Sequence, residues 1–140
     1  MYYVCSNLVE PLTKASQVSY AELVGASLVQ WFVSHYWGSP FRHFSDTIRK
    51  HAASGSQAYW ICTFSNNQYR VKEELGVSHE ESSFYKALHS DKCKGTAMIM
   101  DEQASLLKRS WCLFELLQTV RKSDQEEERK KRREAMSCEL

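Results

Sequence analysis

The ten residues from Leu28 to Trp37, LVQWFVSHYW, constrain the fold more than any other feature of the chain. They are close to continuously apolar and are rich in aromatic and β-branched side chains. A strand that is covered on both faces has this composition, because neither face needs polar residues. The run therefore predicts the first and central strand of a layered sheet.

Helical and strand patterns alternate after this strand. Pro40 favours a helix start, and apolar residues at helical spacing predict a helix over about 41–53. Short apolar runs predict strands over 58–64 and 96–100, with a short helix over about 82–89 between them. Long connections between strands imply right-handed crossovers and parallel pairing. We expect an α/β fold with a small parallel sheet, in the order second, first, third strand.

The two ends of the chain differ from its middle. Residues 1–26 are mixed and form a lead-in segment, with Pro11 as a breaker and a capping box at Ser19–Glu22 that starts a short helix. Residues 27–122 hold the predicted domain, which closes with a largely buried helix from Ser110. Residues 123–140 form a charged helical tail in which Glu126, Glu127 and Glu128 precede basic residues by four positions.

The charge, the hydropathy and the cysteine content of the chain argue against several classes of partner. The formal net charge is only +1 and the basic run at 129–133 adjoins three glutamates, so we expect no nucleic-acid partner. No apolar stretch is long enough to cross a bilayer, so we expect no membrane partner. Five cysteines without a CxxC pair indicate reduced thiols and a cytoplasmic location.

Candidate site residues lie where the strands end, since open parallel sheets bind ligands outside the carboxyl ends of their strands. Ser34, His35, Tyr36 and Trp37 close the first strand. The last helix begins at the same edge, with Ser110 as its expected N-cap, and it places Trp111 and Glu115 one turn apart on one face. A carboxylate inside WCLFELL is costly to bury unpaired, so Glu115 must find a partner or line a wet cleft.

These residues carry a resemblance to TIR domains. FVSH closes the first strand, and Ser110 to Leu116 fits the plant-type motif of serine, tryptophan, cysteine, leucine, any residue, glutamate and leucine. Tyr59 to Gln68, YWICTFSNNQ, resembles TIR-like modules of protists and algae that carry YWxCxFxNNQ. The resemblance covers residues 27–122 and implies a flavodoxin-like three-layer fold.

The resemblance also implies a function in signalling or defence. It implies an NAD⁺ glycohydrolase that acts when domains assemble, with Glu115 as the catalytic residue and NAD⁺ as the substrate rather than a resident cofactor. Ser34, His35, Tyr36, Trp37 and Trp111 would then bind the substrate. Positive charge builds on the ribose as nicotinamide leaves, and a nearby carboxylate stabilises it. Lys108, Arg109 and the helix N-terminus would suit the pyrophosphate.

The chain departs from the family pattern in two ways, and the second, the missing last strands, favours a different hypothesis. Tyr36 and Trp37 replace the basic or small polar residues common after the first strand, and the last two strands of the family are missing. The third strand would then be an exposed edge unless a partner or the N-terminal segment covers it. The alternative is a non-catalytic module for homotypic assembly, acting through that edge and the charged helix. A third possibility is a fragment of a larger protein.

Simpler interpretations stand beside each site residue. Glu115 could cap backbone groups or pair with Lys108 or Arg109, and Trp111 could be plain core. His35 could be a hydrogen-bonded residue at the strand end. Cys112 suggests a thiol hydrolase only if something activates it, and packing is the simpler role. No carboxylate or cysteine accompanies His43 and His51 at matching spacing, so we expect no metal site.

Overall fold

A parallel three-stranded sheet lies at the centre of the structure, a computed structural model that describes residues 1–52, 55 and 57–137. Strand β1 is Trp31–His35, β2 is Tyr59–Trp60 and β3 is Thr96–Ile99. The order is β2-β1-β3, and Phe32 of β1 pairs with Trp60 on one side and Thr96 on the other. The predictions of an α/β fold, a small parallel sheet and a central first strand are confirmed, although the strand is shorter at both ends than the predicted run of 28–37.

The two faces of β1 lie in two apolar clusters, as the continuous apolar run predicts. Phe32 packs with Phe84 and Leu88 on one face. Val33 packs with Phe44 and Ile99 in the cluster on the other face. Because alternate residues of a strand point to opposite faces, Ser34 shares the face of Phe32 and His35 shares the face of Val33.

The N-terminal segment is helical and contributes to the core. It comprises α1 (Tyr2–Val4), a π-helical turn (Cys5–Val9), α2 (Glu10–Thr13) and α3 (Tyr20–Val24). Met1, Val4 and Val9 are buried in the same cluster as Val33. The capping box at Ser19 is confirmed, since Ser19 and Glu22 exchange both hydrogen bonds.

The prediction that Pro11 breaks this segment is wrong. Pro11 lies in the first turn of α2, directly after the π-helical turn, and the helical path continues through it. The Glu10 N–H bonds to the Cys5 carbonyl in this wider turn, and proline is tolerated in a first helical turn because its missing N–H has no obligatory partner there.

Short helices connect the strands. They are α4 (Phe41–His51), α5 (Cys62–Ser65), α6 (Val71–Leu75), a 3₁₀ turn (His79–Glu81) and α7 (Ser83–Leu88). The helix predicted over 41–53 is confirmed as far as His51, while residue 53 lies outside the described part. The helix predicted over 82–89 is α7, and Ser82 caps it by accepting a hydrogen bond from the Tyr85 N–H.

The strand predicted over 58–64 ends early. Only Tyr59 and Trp60 pair with β1, and Cys62–Ser65 turns into a helix. The Ile61 N–H bonds to the Ser65 hydroxyl at 3.2 Å, and this local bond closes the turn. A short apolar run does not distinguish a strand from a buried helical turn, which explains the error.

The last helix, α8, runs without interruption from Ser110 to Ser137 and follows a 3₁₀ turn at Ser105–Lys108. The charged tail is therefore helical through residue 137, and residues 138–140 lie outside the described part. Ser110 is the first helical residue, and the extended residue before it is Arg109, so the predicted N-cap is one position late. Within the described residues, no helix combines the length and apolarity needed to cross a membrane.

Lys122 fixes the middle of α8 to the body of the domain. Its Nζ donates to the carbonyl oxygens of Leu88, Ser90 and Cys93 at 2.9, 3.0 and 2.7 Å. These carbonyls belong to the end of α7 and the turn after it, where a cation also complements the helix dipole. Residues 123–134, beyond this contact, are exposed.

Candidate functional site

The carboxyl edge of the sheet brings Ser34 and Glu115 into contact. Ser34 is fully buried near the end of β1, and its hydroxyl donates a hydrogen bond to Oε2 of Glu115. Glu115 lies on α8, one turn after Trp111, and only 8% of its surface is exposed. The sheet and α8 thus hold one carboxylate in a fixed position at the edge where ligands of α/β proteins bind.

Burial dominates the electrostatics of Glu115. Loss of hydration raises its pKa to about 7, against the opposing effects of the Ser34 hydrogen bond and the Arg109 charge. Glu115 forms no ion pair with any described residue, so the pairing with Lys108 or Arg109 considered above is not seen. A carboxyl group in this state is divided between its protonated and ionised forms near neutral pH.

Glu115 faces a cavity of about 150 Å³. The lining combines aromatic, aliphatic, sulfur-containing and polar side chains from the region around β1 and β2, from α5, α6 and α7, and from the start of α8. These residues include His35, Trp37, Trp60, Cys62, Asn66, Leu75, Phe84, Arg109, Trp111 and Cys112. Pockets for drug-sized ligands measure about 300–1,000 Å³, so the cavity has room for a single ring system and not for a dinucleotide.

His35 is buried on the opposite face from Ser34. Its ring meets the Phe44 ring at 5.0 Å and lies parallel to the Trp37 ring at 6.4 Å. Burial lowers its pKa to about 4, so the imidazole is neutral at physiological pH. Its Nε2 has no hydrogen-bond partner among the described residues, which leaves a buried polar atom unsatisfied beside the cavity.

Tyr36 and Trp37 diverge after the strand. The Trp37 indole lines the cavity and donates from Nε1 to Sγ of Cys62 at 3.2 Å. Tyr36 is not among the residues that line the cavity, and instead the Arg109 guanidinium lies 5.7 Å from the centre of its ring. A cation over an aromatic face is stabilising, so Tyr36 holds Arg109 at the mouth of the site.

Trp111 lies at the surface end of an aromatic cluster. Its ring centre is 4.7 Å from that of Phe84 and 5.9 Å from that of His79, and 36% of the residue is exposed. It also lines the cavity. The side chain is therefore packed on one side and available to a ligand on the other.

The cysteines at this edge are not activated. Burial raises the pKa of Cys62 to about 11 and also raises the pKa of Cys112. A thiol nucleophile needs a lowered pKa, so neither residue supports the thiol hydrolase considered above. Cys5, Cys62, Cys93 and Cys112 are free thiols, and Cys138 lies outside the described residues.

The two histidines of α4 have other partners. His43 Nε2 lies 3.0 Å from the Met100 carbonyl, and His51 Nδ1 lies 2.8 Å from the Tyr59 hydroxyl. Across residues 1–52, 55 and 57–137 no three His, Cys, Asp or Glu side chains are grouped as metal ligands would be.

The sequence patterns did not assign Trp60, Cys62, Leu75 or Phe84 to the site. Trp60 and Cys62 belong to the YWxCxFxNNQ segment, whose irregular apolar spacing was the available signal. Asn66 accepts a hydrogen bond from the Ser83 hydroxyl at 2.8 Å, which ties the turn after β2 to α7 and to Phe84. Leu75 belongs to α6, which the polar sequence around it did not predict.

Comparison of the chain with protein-family models, with curated proteins and with solved structures finds no match.

Proposed function

We propose that the chain is a TIR-like domain of the flavodoxin-like three-layer type that cleaves NAD⁺ and releases nicotinamide, with Glu115 as the catalytic residue. The observation that carries the proposal is the contact of Glu115 with Ser34. A single buried carboxylate, held by a strand-end hydroxyl and facing a ring-sized cavity, suits a reaction that develops positive charge on a sugar.

The chemistry requires the ionised form of Glu115. The bond between ribose C1′ and the nicotinamide nitrogen breaks, and the electron pair leaves with nicotinamide. Water then attacks C1′ and loses a proton to the solvent. Because the pKa of Glu115 is about 7, a large share of the enzyme carries the carboxylate at neutral pH. Its negative charge stabilises the oxocarbenium-like ribose more than the neutral acid would.

The other site residues have binding roles in this proposal. Trp37 and Trp111 line the cavity and offer flat surfaces to the nicotinamide ring. The cavity accommodates that end of the dinucleotide, and the remainder would extend past Arg109, whose charge suits a pyrophosphate. Ser34 orients Glu115 through its hydrogen bond. His35 contributes by lining the cavity in which the substrate would bind. The free thiols favour a reducing compartment such as the cytoplasm.

Assembly without catalysis is the second candidate function. It is favoured by an exposed apolar stripe on α8, in which Leu113, Leu117 and Val120 are 46%, 45% and 48% exposed. These positions recur at helical spacing and so lie on one side of the helix. In addition, β3 is an edge strand of the sheet. A second copy of the chain could cover both features.

The two candidates are separated by one experiment with two readouts. Purified chain is incubated with NAD⁺ in dilute and in crowded solution, nicotinamide is followed by chromatography, and molar mass is followed by light scattering. If the chain is catalytic, nicotinamide should accumulate with time, and heat-denatured chain should release none. Assembly without nicotinamide would support the second candidate, and Leu117→Glu should then abolish the assembly, whereas exposed Glu102→Gln should not.

A further inference from the structure

A second cavity lies away from Glu115, between the N-terminal helices, α3 and the turn after β2. It measures about 740 Å³, well above the cavity at the candidate site and within the range of about 300–1,000 Å³ typical of ligand pockets. It shares Trp60 with the smaller cavity, but Glu115, Trp111 and His35 do not line it. The proposed NAD⁺ chemistry makes no use of it.

Aromatic and aliphatic side chains supply most of the lining. Three aliphatic residues on its walls, Leu8, Leu12 and Val24, are 51%, 57% and 62% exposed. Exposed apolar groups gathered around one concave surface are characteristic of a binding site. Five aromatic rings also line it, those of Tyr20, Phe41, Tyr59, Trp60 and Phe64.

The charged groups of this cavity have one sign. Glu22 and Glu74 line it, and no described Lys, Arg or His does. Hydrogen bonds from the Ser19 backbone N–H and hydroxyl, with a smaller effect of the Arg70 charge from outside the lining, lower the pKa of Glu22, so this carboxylate is ionised at neutral pH. Glu74 accepts a hydrogen bond from the Asn67 N–H through Oε1 at 3.0 Å, which leaves its second oxygen for another partner.

We propose that this cavity binds a hydrophobic organic cation, of the class of aryl or alkyl quaternary ammonium compounds. The two carboxylates attract positive charge and disfavour anionic amphiphiles such as fatty acids. Aromatic rings stabilise an ammonium group through their negative faces and also bury the apolar part of the ligand. A neutral apolar molecule gains only the second effect, so charge complementarity selects the cation.

The test uses benzyltrimethylammonium and neopentylbenzene, which have nearly the same shape and differ in charge. Methyl resonances of the full chain are recorded by NMR during titration with each compound. We expect shifts at Leu8, Leu12 and Val24 and none at Leu113 or Leu117, and a Kd for the cation about tenfold lower than for the neutral compound. Benzenesulfonate, an anion, should not produce these shifts.

Variants separate the charge effect from apolar contact. Glu74→Gln and Glu22→Gln keep the hydrogen-bond acceptors but remove the charge, and each should raise the Kd of the cation about threefold or more. Exposed Glu80→Gln, outside the cavity, should leave the Kd unchanged. Equal affinity for the neutral compound, shifts confined to other methyl groups, or indifference to both Gln variants would overturn the proposal.

Discussion

The Ser34 hydroxyl donates a hydrogen bond to Oε2 of Glu115 and so joins β1 to α8 across 81 positions of the chain. Both residues are buried, and Glu115 forms no ion pair with any other described residue. The contact therefore links the position of the carboxylate to the packing of the last helix on the sheet.

Removal of this donor should weaken both the fold and the site. Ser34→Ala leaves a buried carboxyl oxygen without its hydroxyl partner, at a cost of about 1–3 kcal/mol in the free energy of unfolding. It should also raise the pKa of Glu115 further, because the Ser34 hydrogen bond lowers that pKa at present. Chemical denaturation and a carboxyl NMR titration measure the two effects. Ser45→Ala is the matched control, since the half-buried Ser45 hydroxyl bonds to the Arg42 carbonyl of its own helix, and equal losses in both variants would contradict the assignment.

Nicotinamide release should depend on pH through the ionisation of Glu115. In the proposed reaction the ionised form is the active one, so the rate should rise as pH increases through about 7 and then level off. In Ser34→Ala the midpoint should move to higher pH. The measurement is a rate profile between pH 5 and pH 9, roughly two units on each side of that pKa. A rate that falls through this range would show that the carboxylate is not the required form.

Glu115 and His35 should have opposite effects on stability as pH changes. The folded pKa of Glu115 lies above its ordinary value of 4.5, so its contribution is fully present below 4.5 and is lost as pH rises to about 7. The folded pKa of His35 lies below its ordinary value of 6.5, so its contribution is present above 6.5 and is lost as pH falls to about 4. Each effect amounts to about 3 kcal/mol at most.

In the native chain the pH dependences of stability due to Glu115 and His35 offset each other where they overlap, between pH 4.5 and 6.5. Variants that remove one of the two groups should reveal the other. With only the His35 effect remaining, the free energy of unfolding of Glu115→Gln should rise as pH increases from about 4 to 6.5. That of His35→Phe should fall as pH increases from about 4.5 to 7. Urea denaturation at several pH values measures both, and parallel curves for the three proteins would refute the pKa assignments.

Lys122 should matter far more to stability than other lysines of α8. Lys122→Met leaves three carbonyl oxygens without their donor, and we expect a loss of about 2–3 kcal/mol. Lys130→Met is the matched control, since Lys130 lies on the same helix, is largely exposed and should change stability by less than about 0.5 kcal/mol. The melting temperatures of both variants, measured by thermal unfolding, test this difference. Equal melting temperatures would mean that the contact of α8 with α7 contributes nothing.

Local sequence patterns were sufficient for the elements whose apolar spacing or capping residues follow directly from their burial or their ends. The continuous apolar run placed β1, and the helical spacing after Pro40 placed α4, because both patterns report directly on burial. The serine and glutamate of the capping box marked the start of α3 in the same way. The apolar setting of Glu115 also predicted that the carboxylate would need a partner.

Other features depend on tertiary contacts that a sequence pattern does not contain. The path of the chain through Pro11 depends on a π-helical turn, and the Cys62–Ser65 turn depends on one side-chain bond from Ser65. The identity of the Glu115 partner required the distance between β1 and α8. No local pattern distinguishes Lys122 from the other lysines of α8, because its three acceptors lie about 30 positions earlier in the chain.

The catalytic role of Glu115 is tested by comparing nicotinamide release by the native chain with that by Glu115→Gln and Glu102→Gln, at equal concentration in crowded solution and with matched circular dichroism spectra. Glu115→Gln keeps the shape and the acceptor for Ser34 and removes only the negative charge, whereas Glu102 is exposed beyond β3. We expect release by the native chain and by Glu102→Gln, and a loss of about 100-fold or more in Glu115→Gln. Equal release by all three proteins, or none from the native chain, would contradict this role.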